Sequence, residues 1–364
     1  QTLKSGVNRW KKVSTDSVLA SVFDEAGKGK VAILANRSHS LLRESLKKKL
    51  ASSGILWFEH DAIDYFSAEN KLGKSLGSAK ALRAVPNLSS AKRVLSLDND
   101  FLGNRESNEL SNSRAFMAGR KVLKPSDAKR MNRLYIAESD LSRTGGVADH
   151  RLRVESSQMI GFASLVASEL LSKLGGSDQS LKKHLKNLSS FTQDQKEWAT
   201  EAVADLLSNP KKSVILVGGH LPAEVQLLAY EMNRLLGAIG STINYIEVSP
   251  SADSILSLKS KINDGSVERL LVLGGNPVYQ SKGFINWEVL SKKLKFVVRL
   301  GGSIDESSQI ANYHLGQSHY LESWDLGTTW DQSSLAPVQP LIAPLFDTIS
   351  EATLLSDRKS TRLN

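Results

Sequence analysis

Short, uninterrupted apolar runs recur along this chain and constrain its fold more than any other feature. They are "KVAILAN" at 30–36, "ILWFEH" at 55–60, "AKRVLSLDNDFL" at 91–102, "NRLYIAES" at 132–139, "KKSVILVGG" at 211–219, "VERLLVLGGNP" at 267–277 and "KFVVRLGG" at 295–302. Their apolar cores do not alternate with polar residues, so each predicts a strand buried on both faces. Stretches with helical spacing lie between them: "SLLRESLKKKLASSG" at 40–54, "SSQMIGFASLVASELLSKLGG" at 156–176, "PAEVQLLAYEMNRLLGAIG" at 222–240 and "SADSILSLKSKINDG" at 251–265. Terminal glycines, and a proline in the first turn of the third, mark their ends. Strand–helix alternation of this kind predicts the α/β class: two Rossmann-like βαβ halves with mainly parallel sheets covered by helices.

A chain of 364 residues exceeds one small core. The polar, lysine-rich stretch 177–196 reads as a linker, which gives a first α/β domain over 1–176 and a second over 197–318. From 319 to 350 the chain has prolines at 337, 340 and 344, yet carries Trp324, Trp330, Leu335, Leu341, Leu345 and Phe346. Prolines remove backbone donors and favour extended chain, and the apolar content is too high for a free linker. This stretch predicts an extended strap packed along the two-domain body. The last residues, "DRKSTRLN" at 357–364, resemble a translated sequencing adapter and are expected to lie outside the fold.

The net charge is +9, but the lysines are scattered over helix-like segments and aromatic residues make up only 6%. Solvated helix faces account for that pattern, and no nucleic-acid partner is expected. There is no cysteine, which removes thiol catalysis, disulfides and cysteine-ligated zinc, iron–sulfur or molybdenum from these residues. No run of about 18 apolar residues occurs to span a bilayer. The opening "QTLKSGVNRWKK" lacks an apolar signal core, so any export signal is expected outside this sequence.

Several stretches carry chemistry-bearing residues. "AENKLGKS" at 68–75 fits a relaxed phosphate-loop pattern through Gly73, Lys74 and Ser75, and "GKSLG" fits a nucleophile elbow around Ser75. Both motifs need a strand before and a helix after, whereas helix or loop precedes here, and Ala68 stands where the first glycine belongs. Gly274, Gly275 and Asn276 follow a strand, where open α/β sheets bind ligands, as do Gly218 and Gly219 in an earlier unit. A tight strand-to-helix turn is the plainer reading of each. His314, His319 and Glu322 match no metal-binding spacing. Asp98 and Asp100 end a strand and are expected to cap the next turn locally.

The stretch "ESDLSRTGGVADHRLRV" at 138–154 combines a double glycine, an Asp-His pair, three arginines and two further carboxylates. Gly145 and Gly146 permit positive φ. Asp149 and His150 follow, then Arg151 and Arg153 alternate with Leu152 and Val154 in strand period. Ser142 lacks the sharp turn a nucleophile needs. A turn and a strand joined by ion pairs is the expectation, with no catalytic residue and no metal site.

"VLSLDNDFLG", "MNRLYIAESDLSRTGGVADHRLRVESSQMIGFASLVASEL", "LVLGGNPVY" and "HYLESWDLGTTWDQSSLAPVQPLIAPLFDT" together resemble the B-subunit family of bacterial alternative complex III, over most of 90–350. That family is the molybdopterin oxidoreductase-like, iron–sulfur subunit of a membrane-bound, quinol-oxidising respiratory complex. The resemblance implies a position on the periplasmic face of the inner membrane, held through partner subunits that include a multihaem cytochrome and membrane quinol-binding subunits. It also implies a scaffold without a molybdenum cofactor, with iron–sulfur clusters in a later ferredoxin-like part. In the related molybdenum enzymes a T-x-x-A-D region leads into a strand beside the pterin. Thr144, Gly145, Ala148 and Asp149 match that turn, which makes Thr144, Gly145, Asp149, Gly274, Gly275 and Asn276 vestigial cofactor-site candidates. The rival readings are a fragment of a true molybdopterin oxidoreductase and a small-ligand-binding α/β protein.

Overall fold

A computed structural model describes residues 2–4, 10–63, 67–103, 108–186, 191–249 and 252–356. The chain forms two compact units, one from residues 1–63 and 251–364 and one from 64–250. Both are α/β with mainly parallel sheets, as the apolar runs predict.

In the first unit the strand Val31–Ala35 lies between Leu56–Glu59 and Arg269–Leu273, and the latter pairs in turn with Phe296–Gly301. Tyr313–Gly316 continues the parallel series, and Thr2–Lys4 and Trp10–Lys12 add antiparallel strands at one side. The central register sets Leu271 opposite Ile33 and Val298. Alternate residues feed two cores. Ile33, Leu271, Leu273 and Val298 pack with Val18, Val22, Leu46 and Leu50 of the helices Thr15–Gly27 and Leu41–Ala51. Leu34, Leu270, Val272 and Val297 face Leu258 and Ile262 of Ile255–Asn263, with Trp287. Helices on both faces explain why these strands are apolar throughout.

In the second unit His150–Arg153, Arg133–Glu138, Arg93–Leu97 and Ser213–Val217 form a parallel sheet in that order. The helices Met159–Lys173, Gln193–Leu207 and Ala223–Leu235 supply Phe162, Val166, Val203, Leu228 and Met232 to its core. An antiparallel ribbon pairs Ala81–Pro86 with Ile243–Val248.

The predicted division at 177–196 is therefore corrected. The domains expected over 1–176 and 197–318 do not exist as such, because strands from both sides of 177–196 share one sheet, with Leu95 opposite Ile215. The reason is pairing: Val31–Ala35 finds its parallel neighbour in Arg269–Leu273, so the second unit is inserted into the first. The supposed linker is docked. Asp178 caps the turn Gln179–Lys182 and binds Arg234, and Leu181 is fully buried. Residues 187–190 and the tail 357–364 lie outside the described residues.

The expected strap at 319–350 is corrected too. Asp325–Thr328 pairs antiparallel with Leu335–Val338, so the stretch folds back on itself as a hairpin. Asp331 accepts from Thr329 and Ser333 in the connecting turn, and Gln332 adopts φ 55° there. Local side-chain hydrogen bonds and a left-handed residue favour reversal over extension. Most of its apolar side chains are exposed rather than packed.

The strand Ala81–Pro86 escapes the sequence pattern because its central side chain is charged. Arg83 is 2% exposed and donates to Glu69 through Nε (2.7 Å) and Nη2 (3.2 Å). Breaking a buried pair leaves the partner charge uncompensated, at about 3–5 kcal/mol. Chemical denaturation of Arg83→Met is expected to show a loss of that order, and adding Glu69→Leu is expected to restore most of it.

Candidate functional site

Parallel strands end together, so each unit gathers loops at the carboxyl edge of its sheet, the usual ligand position in open α/β folds. In the first unit that edge holds Asn36, His60, Asp61, Gly274, Gly275, Asn276 and Gln317. Gly274 and Gly275 adopt φ 60° and 54°, a conformation that a Cβ disfavours. A Cβ on Gly275 would also collide with the Asn36 amide. Asn36 itself donates to the Asp61 carboxylate (2.9 Å) and to the His60 carbonyl (3.3 Å).

Arg299 lies beneath this turn, almost wholly buried. It donates to the carbonyls of Gly274 (2.7 Å), Leu300 (2.8 Å) and Gly275, and pairs with Asp305 (2.8 Å). Burial alone would raise the Asp305 carboxyl, but the Arg299 guanidinium and Ser308 donors hold it below the usual carboxylate range. Asn276 caps the short helix Pro277–Gln280 by accepting from the Tyr279 amide (3.4 Å); it also accepts from Ser307 (2.7 Å) and donates to Glu306 (2.7 Å). The turn is thus where the sequence places it, and its glycine carbonyls and the Asn276 side chain are bound by neighbours within the chain.

The candidate histidines do not converge. His314 is buried and its Nδ1 lies 3.0 Å from the Ser308 hydroxyl. His319 caps the turn Tyr320–Glu322, whose Glu322 binds the His319 amide in return. Among the described residues no group of three histidines and carboxylates is placed to hold a metal.

In the second unit the partners of Asp98 and Asp100 among the described residues lie outside the turn that the two aspartates were expected to cap. Ser96 already supplies the local bonds, by accepting from the Asn99 amide and donating to its carbonyl. The two aspartates reach across to the neighbouring turn instead. Asp100 accepts from the Thr144 amide (2.9 Å) and hydroxyl (2.8 Å), and Asp98 from the Ser139 hydroxyl (3.2 Å), with His220 Nε2 at 3.4 Å. Asp98 holds φ 51°, a strained conformation for a non-glycine residue. Its burial favours the neutral acid, yet His220 and Ser139 hold the carboxyl below its ordinary range.

The stretch 138–154 is a turn and a strand, as expected. Ser142 caps the turn Arg143–Gly146, and neither glycine there has positive φ, which corrects that reading of Gly145 and Gly146. Gly145 is required for closeness: a Cβ would strike the Glu138 carboxylate. Glu138, 1% exposed, accepts from Ser142 Oγ (2.6 Å) and Arg151 Nε (2.5 Å). Asp149 accepts from the Leu134 amide (2.8 Å) and pairs with Arg120, and His150 stacks on Tyr135. Arg153 is exposed. Gly73, Lys74 and Ser75 end a helix that precedes a strand, the reverse of a phosphate loop, and a Cβ on Gly73 would meet the Lys80 carbonyl. Sequence reasoning missed Asn36, Glu138 and Arg299, whose partners are remote or hidden in strand patterns.

No family model matches the chain, and no curated protein does. Solved structures match in fold. Acetylene hydratase from Pelobacter acetylenicus superposes with a TM-score of 0.69 at 13% identity, covering 98% of this chain and 60% of that one. A chain of the formyltransferase/hydrolase complex from Methylorubrum extorquens, in complex with methylofuran, gives 0.58 at 14% identity, covering 98% of this chain and 96% of its own. The chain shares its mainly parallel α/β fold with these structures. The chain spans about three-fifths of the acetylene hydratase chain.

Two outcomes follow from this geometry. Gly275→Val is expected to lower stability by about 1–3 kcal/mol or more through its left-handed backbone, whereas Ser75→Ala, at an exposed hydroxyl, stays within about 0.5 kcal/mol; thermal melts of the two variants check this. Burial, reinforced by Arg299, holds the His314 imidazole below its ordinary range. A depressed folded pKa means the unfolded chain binds the proton more readily. The His314 contribution is therefore complete above about pH 6.5 and is lost as pH falls below it. The melting temperature is expected to drop on acidification from about pH 7 to about pH 5.5, and His314→Gln to flatten that slope.

Proposed function

We propose that the chain is the cofactor-free scaffold part of a membrane-associated, quinol-oxidising respiratory electron-transfer complex, in the manner of the iron–sulfur subunit of alternative complex III. The observation that carries this reading is the closure of both carboxyl-edge turns by the chain's own side chains. Asn36 and Arg299 occupy the turn at Gly274 and Gly275, and Glu138, Arg151 and Asp100 occupy the one at Thr144 and Gly145. A Cβ at Gly275 or at Gly145 would strike the Asn36 or Glu138 side chain, which already fills the space beside each turn.

In this reading no molybdenum–pterin group is resident among these residues. Thr144 Oγ1 accepts from the Leu102 amide (3.0 Å) and donates to Asp100, and the sequence offers no thiolate ligand. In this reading the iron–sulfur clusters belong to a ferredoxin-like part of the full subunit. No helix among the described residues is long and apolar enough to cross a membrane. In this reading the chain is held at the periplasmic face through partners, among them a multihaem cytochrome and membrane quinol-binding subunits.

A second reading, ligand binding at the carboxyl edge of the second unit, is favoured by the strained Asp98 beside His220 and Gly218. A thermal-shift screen with nucleotides tests it, since a ligand selective for the native state raises the melting temperature.

Affinity purification of the tagged chain from membranes of its own cells tests the first reading. We expect haem-bearing and quinol-binding subunits to co-purify, with quinol-dependent haem reduction. Molybdenum and a pterin recovered stoichiometrically with this chain would instead establish the molybdopterin-enzyme alternative.

A further inference from the structure

We propose that the hairpin between Gly316 and Ile349 is the docking surface through which this chain holds another protein subunit, one presenting an apolar pocket rimmed by lysine and arginine. The inference deepens the reading above and takes from it that the partner is a subunit of the same complex.

The hairpin is a built element. Asp325–Thr328 pairs with Leu335–Val338, and beyond that ladder the amides of Leu341 and Ile342 donate to the Leu321 carbonyl at 2.8 and 3.2 Å. The Leu345 amide reaches the Glu322 carboxylate at 3.1 Å. One side is anchored on the first unit: Ser40 donates to Asp325 (2.5 Å), and Trp330 meets His39 edge-on. Backbone so held does not need exposed apolar side chains, yet Trp324 is 63%, Leu335 66%, Leu341 74%, Leu345 70% and Phe346 78% exposed. A cleft of about 340 Å³ opens beside Trp324, over the Arg43–Glu351 ion pair. Five large apolar side chains left exposed within one short segment are the kind of surface that marks interaction sites in folded proteins.

Charge and backbone chemistry select the occupant. The hairpin's charged side chains are Glu322, Asp325, Asp331 and Asp347, with no lysine or arginine from 319 to 350, in a chain whose net charge is +9. Backbone amides of Leu345 and His319 hold Glu322 below the usual carboxylate range, so it stays charged. A segment that is acidic and apolar is repelled by anionic lipid and complements a basic protein partner. Pro337 sits in the outer strand, and Pro340 and Pro344 follow, so strand addition is blunted and contact falls to the side chains. Aromatic and leucine anchors inside a polar rim are the usual anatomy of such contacts.

The test places photoreactive p-benzoylphenylalanine at Phe346, and separately at Trp324, in the full chain expressed in its own cells. Mass spectrometry then identifies the cross-linked peptide. The expected adduct is with a separate polypeptide, at an apolar segment bearing lysine or arginine. Adding Leu341→Glu with Leu345→Glu should reduce its yield about tenfold or more while the melting temperature holds, because both side chains are exposed. Adducts only with lipid, only with a second copy of this chain, or with nothing would overturn the proposal. An adduct with a basic, apolar protein outside any quinol-oxidising complex keeps the docking surface and overturns the functional reading. Co-purification of that complex without the adduct does the reverse.

Discussion

The parallel pairing of Arg269–Leu273 with Val31–Ala35 is the interaction on which the first unit depends. It joins residues far apart in sequence and closes the sheet's centre. It also fixes which side chains enter which core, since a one-residue slip would exchange the two faces. The same register sets Ala35 opposite Leu273, so the two chains leave the sheet side by side. Asn36 therefore meets Gly275 as a consequence of strand alignment, with no local sequence signal to announce it.

Each carboxyl edge is then closed by a buried charge. Arg299 is tolerable inside the first unit because Asp305 and three carbonyls take up its donors. Glu138 is tolerable in the second because Arg151 and Ser142 take up its oxygens. Buried charges persist only when saturated in this way. The glycines beside them are explained by what already touches them, and their presence alone carries no argument for a ligand.

Much of the architecture was legible in the sequence, and the reasons differ by element. Strands such as Phe296–Gly301 and Ser213–Val217 announce themselves because burial on both faces leaves few polar positions. Strand order does not, because pairing is decided between segments whose patterns look alike; hence the misplaced division at 177–196. Ala81–Pro86 was hidden by Arg83, a core position filled by a paired charge. The turns at 144–145 and 274–276 were visible as glycines after strands. That Asn36, Asp100 and Glu138 fill them was not, since those contacts exist only after the sheets form. The hairpin at 319–350 was misread because proline content argues for extension, whereas the reversal rests on the few polar residues around Gln332.

The insertion of one unit within another sets an order of events on the ribosome. The second unit is a single continuous stretch and has all its strands once residue 248 has been made. The first unit has by then only the strands up to Leu56–Glu59, and the central strand Arg269–Leu273 is still to come. Val31–Ala35 therefore waits as an apolar strand without its permanent neighbour, the kind of transient surface that chaperones cover and that aggregates when uncovered. The length of that wait is set by translation through the inserted unit, so codon speed between residues 64 and 250 bears on the yield of a sheet to which those residues contribute no strand.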